Sequence, residues 1–189
     1  MRVIAGTCRG VKLSSFKGSA IRPTLDRVKE SFFNQVSPII EGARFLDLFA
    51  GTGSIGIEAL SRGAAQVVFV ENDRKAQDLI YKNLEICRFL NERPDGWRVM
   101  KSDALRAIEV LGERGDSFDL VYVDPPFEQK VYDACLLKLA HSTLLRESSL
   151  VVVEHFHKDA PRENYDKINL KRRRRLGDSC LSLYGLNSS

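Results

Sequence analysis

Phe45-Leu46-Asp47-Leu48-Phe49-Ala50-Gly51-Thr52-Gly53-Ser54-Ile55-Gly56 joins a short apolar run directly to a glycine-rich turn. The run reads as a buried strand. The turn opens a helix through Ile57, Leu60 and Ser61 that Gly63 ends. Strand, G-x-G-x-x-G and helix in that order make the first unit of a nucleotide-binding α/β fold. Gln66-Val67-Val68-Phe69-Val70 is the next strand, and it ends at Glu71. In such folds an acid at that place grips ribose hydroxyls. A dinucleotide and S-adenosylmethionine satisfy this pattern equally, so the motif indicates a nucleoside cofactor without naming it.

The alternation continues downstream. An amphipathic helix over 73–90 puts Ala76, Leu79, Ile80, Asn83, Leu84 and Cys87 on one face. A strand at 97–100, a helix at 104–111, a strand at 118–123, a helix near 130–140 and a strand at 150–154 follow. Closing strands near 165–175 and 179–185 lack an intervening helix. Upstream, Val28, Phe32, Phe33 and Val36 recur at helical spacing, which predicts a helix over 24–36 capped by Thr24. Residues 1–22, punctuated by Gly6, Gly10 and Gly18, read as a small hairpin-like extension. The expected architecture is a Rossmann-like α/β domain at 23–189 with an extension at 1–22. Its sheet has seven mostly parallel strands, right-handed crossovers and an antiparallel C-terminal edge.

The chain has 189 residues and a net charge of +4. Residues 1–40 carry +5, residues 41–157 carry −5 and residues 158–189 carry +4. Basic ends around an acidic middle suggest that the flanks meet a polyanion. Arg2, Arg9, Lys12 and Arg22 are the basic candidates at the N-terminal end, and Arg172-Arg173-Arg174-Arg175 is the densest run. On a strand, alternate arginines of that run would face opposite sides. No apolar stretch approaches the roughly 18 residues that span a bilayer. Cys8, Cys87, Cys135 and Cys180 are widely spaced, without a Cys-x-x-Cys pair or a histidine cluster. Reduced structural thiols in a cytoplasmic protein, with no metal site, are expected.

Asp124-Pro125-Pro126-Phe127 ends the run Phe118-Asp119-Leu120-Val121-Tyr122-Val123. Two prolines can neither continue a strand nor enter a helix, so the acid and the aromatic stand rigidly past a strand end. In open α/β sheets ligands bind at that edge. An acceptor carboxylate, the Pro125 carbonyl and an aromatic face suit a planar amine gripped by its N–H groups during methylation. The positions of Asp47 and Asp103 favour the methyl donor over a dinucleotide. A carboxylate at Asp47 attracts an ammonium or sulfonium and repels a pyrophosphate. Asp103 is placed to accept from an adenine amino group. No cysteine beside the prolines offers the covalent route of cytosine-C5 methylation.

On these residues the chain resembles the bacterial small-subunit ribosomal RNA guanine-N2 methyltransferases of the RsmD type. The resemblance runs through Arg2-Val3-Ile4-Ala5-Gly6, Arg22-Pro23-Thr24-Leu25-Asp26-Arg27-Val28-Lys29-Glu30, the block 46–64, Val70-Glu71-Asn72, Asp124 to Phe127 and Tyr184-Gly185. It implies a class I S-adenosylmethionine-dependent methyltransferase acting on a guanine of 16S rRNA. By position it implies cofactor binding by Asp47, Gly51, Gly53, Glu71 and Asp103, with Arg22, Pro23 and Thr24 near the same pocket. Asp124, Pro125, Pro126 and Phe127 would hold the guanine, and the N-terminal extension would contribute to RNA binding. The substrate implied is rRNA in assembled or assembling small subunits, with ribosomal proteins in contact; a monomer is expected. The residues alone leave open an adenine-N6 DNA methyltransferase, a nicotinamide oxidoreductase or a non-catalytic RNA-binding assembly protein.

Overall fold

The chain is seen in a computed structural model that describes residues 1–16, 23–126 and 131–187, so Arg22 and Phe127 lie outside the described residues. The elements in chain order are α1 (Pro23–Val36), β1 (Arg44–Asp47), α2 (Ser54–Ser61), β2 (Gln66–Glu71), α3 (Arg74–Ile86), α4 (Phe89–Glu92) and β3 (Trp97–Lys101). They continue as α5 (Ala104–Glu113), β4 (Phe118–Val123), α6 (Tyr132–Ala140), β5 (Leu145–Phe156), β6 (Asn164–Tyr165), β7 (Ile168–Leu176) and β8 (Ser179–Leu186).

All strands share one sheet in the order β3-β2-β1-β4-β5-β8-β7-β6. β1 to β5 are mutually parallel, as connections through helices require. β8 runs antiparallel to both β5 and β7 and lies between them. β7 therefore points the same way as β5, and only β8 and β6 are reversed. Covering helices on both faces explain why the inner strands are continuous apolar runs rather than alternating ones; Val67 to Val70 are wholly buried. Phe45, Leu120, Tyr122, Val152, Leu181 and Leu183 face the layer of α1, α2 and α3. Leu46, Val121, Val151, Val153 and Tyr184 face α5 and α6.

Several boundaries differ from the sequence reading, each for a local reason. There are eight strands among the described residues rather than seven, because β6 is only the two residues Asn164–Tyr165, too short to show a pattern. The helix expected over 73–90 is two, since Arg88 takes a left-handed φ of 62° and turns Phe89 into the core. β5 starts at Leu145, well before the apolar run, and β7 starts at Ile168. Thr24 lies inside the first turn of α1 rather than capping it. Pro23 opens the helix, where its missing N–H costs nothing.

Among the described residues the N-terminal segment pairs with itself at the antiparallel bridge Arg2–Lys12, flanked by the Val3 amide on the Val11 carbonyl at 2.9 Å and the Leu13 amide on the Met1 carbonyl at 3.1 Å. Side chains of other elements also hold it. Val3, Cys8 and Leu13 are buried in the α1–α3 core layer. Glu58, wholly buried on α2, accepts the amides of Ile4 and Ala5 at 2.7 and 2.9 Å. It also pairs with Lys29 of α1 at 3.3 Å and Arg62 at 2.8 Å. The Ser61 hydroxyl donates to the Ala5 carbonyl at 2.6 Å and accepts from the Cys8 amide at 2.9 Å. Gly6 fits there because a Cβ would stand 1.7 Å from the Ser61 carbonyl oxygen. Asn83, on the expected apolar face of α3, uses its amide on Ser14 and on the Thr52 carbonyl.

Removing one member of a buried ion pair strands its partner. Glu58→Ala leaves the Lys29 ammonium buried beside two orphaned amides. It is expected to lower unfolding free energy by about 3–5 kcal/mol, read from urea unfolding curves. An unchanged midpoint would contradict this account of the segment.

Candidate active site

The carboxyl ends of the parallel strands form one rim. Asp47 ends β1, Glu71 ends β2, Asp103 caps α5 just past β3, and Asp124 follows β4 directly. A cleft of about 450 Å³ opens along this rim, lined by Phe49, Gly51, Glu71, Asp103, Asp124 and Pro126 among others. A smaller cavity of about 170 Å³ lies under α1 and is lined by Asp26, Lys29, Asp47, Tyr122, Asp124 and Glu154, with Met1 at its edge. Asp124, Phe49 and Gly51 line both.

The glycine turn is braced by carboxylates. Glu71 accepts the Gly51 amide at 2.8 Å and the Asp73 amide at 2.9 Å, one on each oxygen. Asp47 accepts the Gly56 amide at 3.1 Å. Gly53, with a left-handed φ of 77°, precedes α2 and lines neither cavity; it sets the turn rather than the wall. Gly56 lets α2 lie on β2, since a Cβ would meet the Phe69 ring at 2.2 Å. Asp103 accepts the Arg106 amide through one oxygen as the cap of α5.

Burial dominates the electrostatics. It pushes Asp47 up to about 7, with the Gly56 amide opposing and the Glu71 charge adding. Asp124 is held well above the usual carboxylate range by burial first, then by Glu154 and Asp47. Glu154 is raised by burial, partly offset by hydrogen bonds from Tyr122, at 2.7 Å, and Ser179. The Tyr122 phenol is raised by burial and the Glu154 charge, so it stays a donor. Lys29 is lowered by burial against the pull of Glu58. This acidic interior suits a cationic ligand group.

Gly51, Glu71, Asp103, Asp124 and Pro126 thus meet at one cleft, while Asp47 lines the smaller cavity that shares Gly51 and Asp124 with it. Pro125 is buried and lines neither cavity. Pro23 and Thr24 begin the helix whose next turn brings Asp26 to the smaller cavity. Arg2, Arg9 and Lys12 are exposed on the N-terminal segment. The sequence reading missed Glu154, Tyr122, Asp26 and Lys29. Two signals were available: an acid closing the run Val151-Val152-Val153, and charges at the i, i+3 positions of the apolar stripe of α1. Among the described residues no helix is long and apolar enough to cross a membrane.

Known proteins resemble this chain along most of its length. A family model described as conserved hypothetical protein 95 matches residues 1–185. Ribosomal RNA small subunit methyltransferase D of Escherichia coli (strain K12) is 37% identical over 154 residues, covering 82% of this chain and 74% of that protein. The protein of the same name from Haemophilus influenzae is 37% identical over 161 residues, covering 85% and 81%. Among solved structures, yhhF from Escherichia coli superimposes with a TM-score of 0.82 at 30% identity, covering 100% of this chain and 99% of that one. The sheet is the Rossmann-like one of S-adenosylmethionine-dependent methyltransferases. The chain belongs to the family described as conserved hypothetical protein 95, that of the small-subunit rRNA methyltransferase D proteins.

Proposed function

We propose that this chain transfers a methyl group from S-adenosylmethionine to the exocyclic N2 of a guanine in 16S rRNA. Membership of the family makes it an rRNA methyltransferase. One observation carries the site assignment: among the described residues Asp124 is the only carboxylate that lines both the large cleft and the smaller cavity. Donor and acceptor must meet at such a junction.

The residues fit the cofactor. The larger cleft falls within the size range of small-molecule sites. Each Glu71 oxygen already accepts one backbone amide, which fixes the carboxylate and leaves further lone pairs for ribose hydroxyls. Asp103 has one oxygen outside its cap bond, suited to an adenine amine. Asp47 has one oxygen beyond its Gly56 bond, suited to an ammonium. When bound, S-adenosylmethionine supplies a methyl on a positively charged sulfur, which provides most of the driving force.

Asp124 then has two tasks. As a carboxylate it accepts an N–H of the guanine amine, whose lone pair is otherwise delocalised into the ring, and orients that nitrogen for in-line attack. Its raised proton affinity makes it the acceptor of the proton that leaves once the N–C bond has formed. Pro125 and Pro126 hold it rigid, and Phe127 offers a ring on which the unpaired base stacks. The exposed Arg2, Arg9 and Lys12, with Arg22, contact the rRNA backbone. The substrate is rRNA within assembling or assembled small subunits, ribosomal proteins included, and the enzyme acts as a monomer in the cytoplasm.

Incubation with labelled methyl donor and small subunits from cells lacking this protein should label one guanine of 16S rRNA, identified by mass spectrometry of nuclease fragments. Label confined to duplex DNA would refute the reading. Asp124→Asn keeps an acceptor oxygen but cannot take up a proton. Its kcat should fall roughly 100-fold to 10,000-fold with little change in affinity for S-adenosylhomocysteine; a kcat near wild type would remove Asp124 from the chemistry.

The free-state value of about 7 for Asp47 gives a second outcome. A ligand ammonium beside Asp47 favours the carboxylate, so binding expels a proton wherever Asp47 is protonated beforehand, which is below about pH 7. Calorimetry of S-adenosylhomocysteine binding in buffers of different ionisation enthalpy should show release of roughly one proton near pH 6 and almost none near pH 8.5. Affinity should weaken as pH falls through that window, and Asp47→Asn should abolish the proton release.

A further inference from the structure

The four-arginine run has no part in the site described above, yet the sheet topology carries it to the same rim. β7 points the same way as β5, so its last residues lie at the carboxyl edge. Register fixes the position more closely. Arg174 pairs with Leu181, and Leu181 with Glu154. Asp124 stands one residue past the Val123–Val153 pair, level with Glu154. Asp124, Glu154, Leu181 and Arg174 therefore form one lateral row across β4, β5, β8 and β7. Three strand spacings put Arg174 about 14 Å from Asp124.

The run is divided by the pleat. Arg173 and Arg175 share a face with Ser182 and Cys180, and their side chains are engaged. Arg173 donates to the Ser182 hydroxyl and the Pro161 carbonyl, both at 2.9 Å, and Arg175 donates to the Gly177 carbonyl at 2.9 Å. Arg172 and Arg174 share the opposite face with Leu183 and Leu181, the face that carries α1 and the smaller cavity. Both are exposed, and among the described residues neither makes a hydrogen bond or an ion pair. Two guanidinium forks stand free, on the side of the sheet where the target base enters. Charge on an outer strand also discourages sheet-to-sheet pairing, but that purpose is indifferent to face.

We propose that Arg172 and Arg174 form a phosphate-binding ladder that holds the RNA backbone a few nucleotides from the base seated at Asp124. Guanidinium groups suit this role because their planar fork matches phosphate oxygens. The spacing from Asp124 matches a single-stranded segment splayed across the rim. The inference rests on the rRNA methyltransferase reading and adds to it a second contact surface, apart from the N-terminal segment.

The test uses the full-length chain, protein-free 16S rRNA and small subunits lacking the methylation. Arg172→Gln/Arg174→Gln should bind 16S rRNA about 10-fold to 100-fold more weakly at ~0.15 M salt. Its slope of log affinity against log salt should flatten by roughly 1.4, the loss of two single-strand phosphate contacts. KM for the particle should rise while affinity for S-adenosylhomocysteine stays put, which also reports an intact fold. Arg172→Lys/Arg174→Lys should recover most of the slope, and Arg175→Gln should keep it. An unchanged slope in the double Gln variant, or an equal loss in Arg175→Gln, overturns the ladder. A wild-type chain that binds rRNA with a steep salt slope yet transfers no methyl overturns the functional reading instead, and leaves the ladder to stand or fall on the variants' slopes.

Discussion

The Glu58 carboxylate holds together three parts of the protein that the chain separates widely. It sits wholly buried on α2 and accepts the Ile4 and Ala5 amides, while Lys29 of α1 and Arg62 neutralise it. A buried carboxylate is tolerated only with its lone pairs occupied. Here they are filled by the N-terminal segment and the helix that walls the smaller cavity. Met1, Asp26 and Lys29 reach that cavity because their elements converge on Glu58. The same α2 begins at the glycine turn, so one side chain couples the N-terminal segment to that turn at the rim.

The rim works by the opposite logic. Asp47, Asp124 and Glu154 face the same cavity with their proton affinities raised by burial, and the only cationic side chain lining it among the described residues, Lys29, is paired with Glu58. The fold thus keeps carboxylates in an environment that disfavours their charge. On the proposed function, a ligand ammonium entering this space relieves that cost at Asp47, so part of the ligand's affinity comes from ionising that one carboxyl. Tyr122 limits the effect at Glu154 by donating a hydrogen bond to it.

Much of this was legible from residues alone. Glycines at 51, 53 and 56 after an apolar run can do little but turn a strand into a helix, and Asp124 before two prolines can only stand at a strand end. Local chemistry determines such features. What escaped was tertiary. The Arg88 break in the helix expected over 73–90 depends on Phe89 finding the core. Asn83 was placed with the apolar residues on one helix face, and its role stayed hidden because its partners Ser14 and Thr52 are distant in sequence. Glu154 read as a strand's polar end, and only the register with β4 sets it beside Asp124. The arginine run was plain as charge, but which pair stands free depends on the order of the last two strands in the sheet.

That order resolves an electrostatic conflict. On the proposed function, the acidic cleft receives a base whose phosphates it repels. The chain separates these requirements in space, with acids along the middle of the rim and exposed arginines and lysine on the N-terminal segment and on β7. Because β8 doubles back between β5 and β7, the basic strand stands about 14 Å from Asp124, farther than the roughly 8 Å screening length of physiological salt. At that distance the carboxylates no longer weaken a phosphate contact appreciably. A neutral base can then enter among the acids while its backbone stays outside, and inserting one reversed strand supplies the separation.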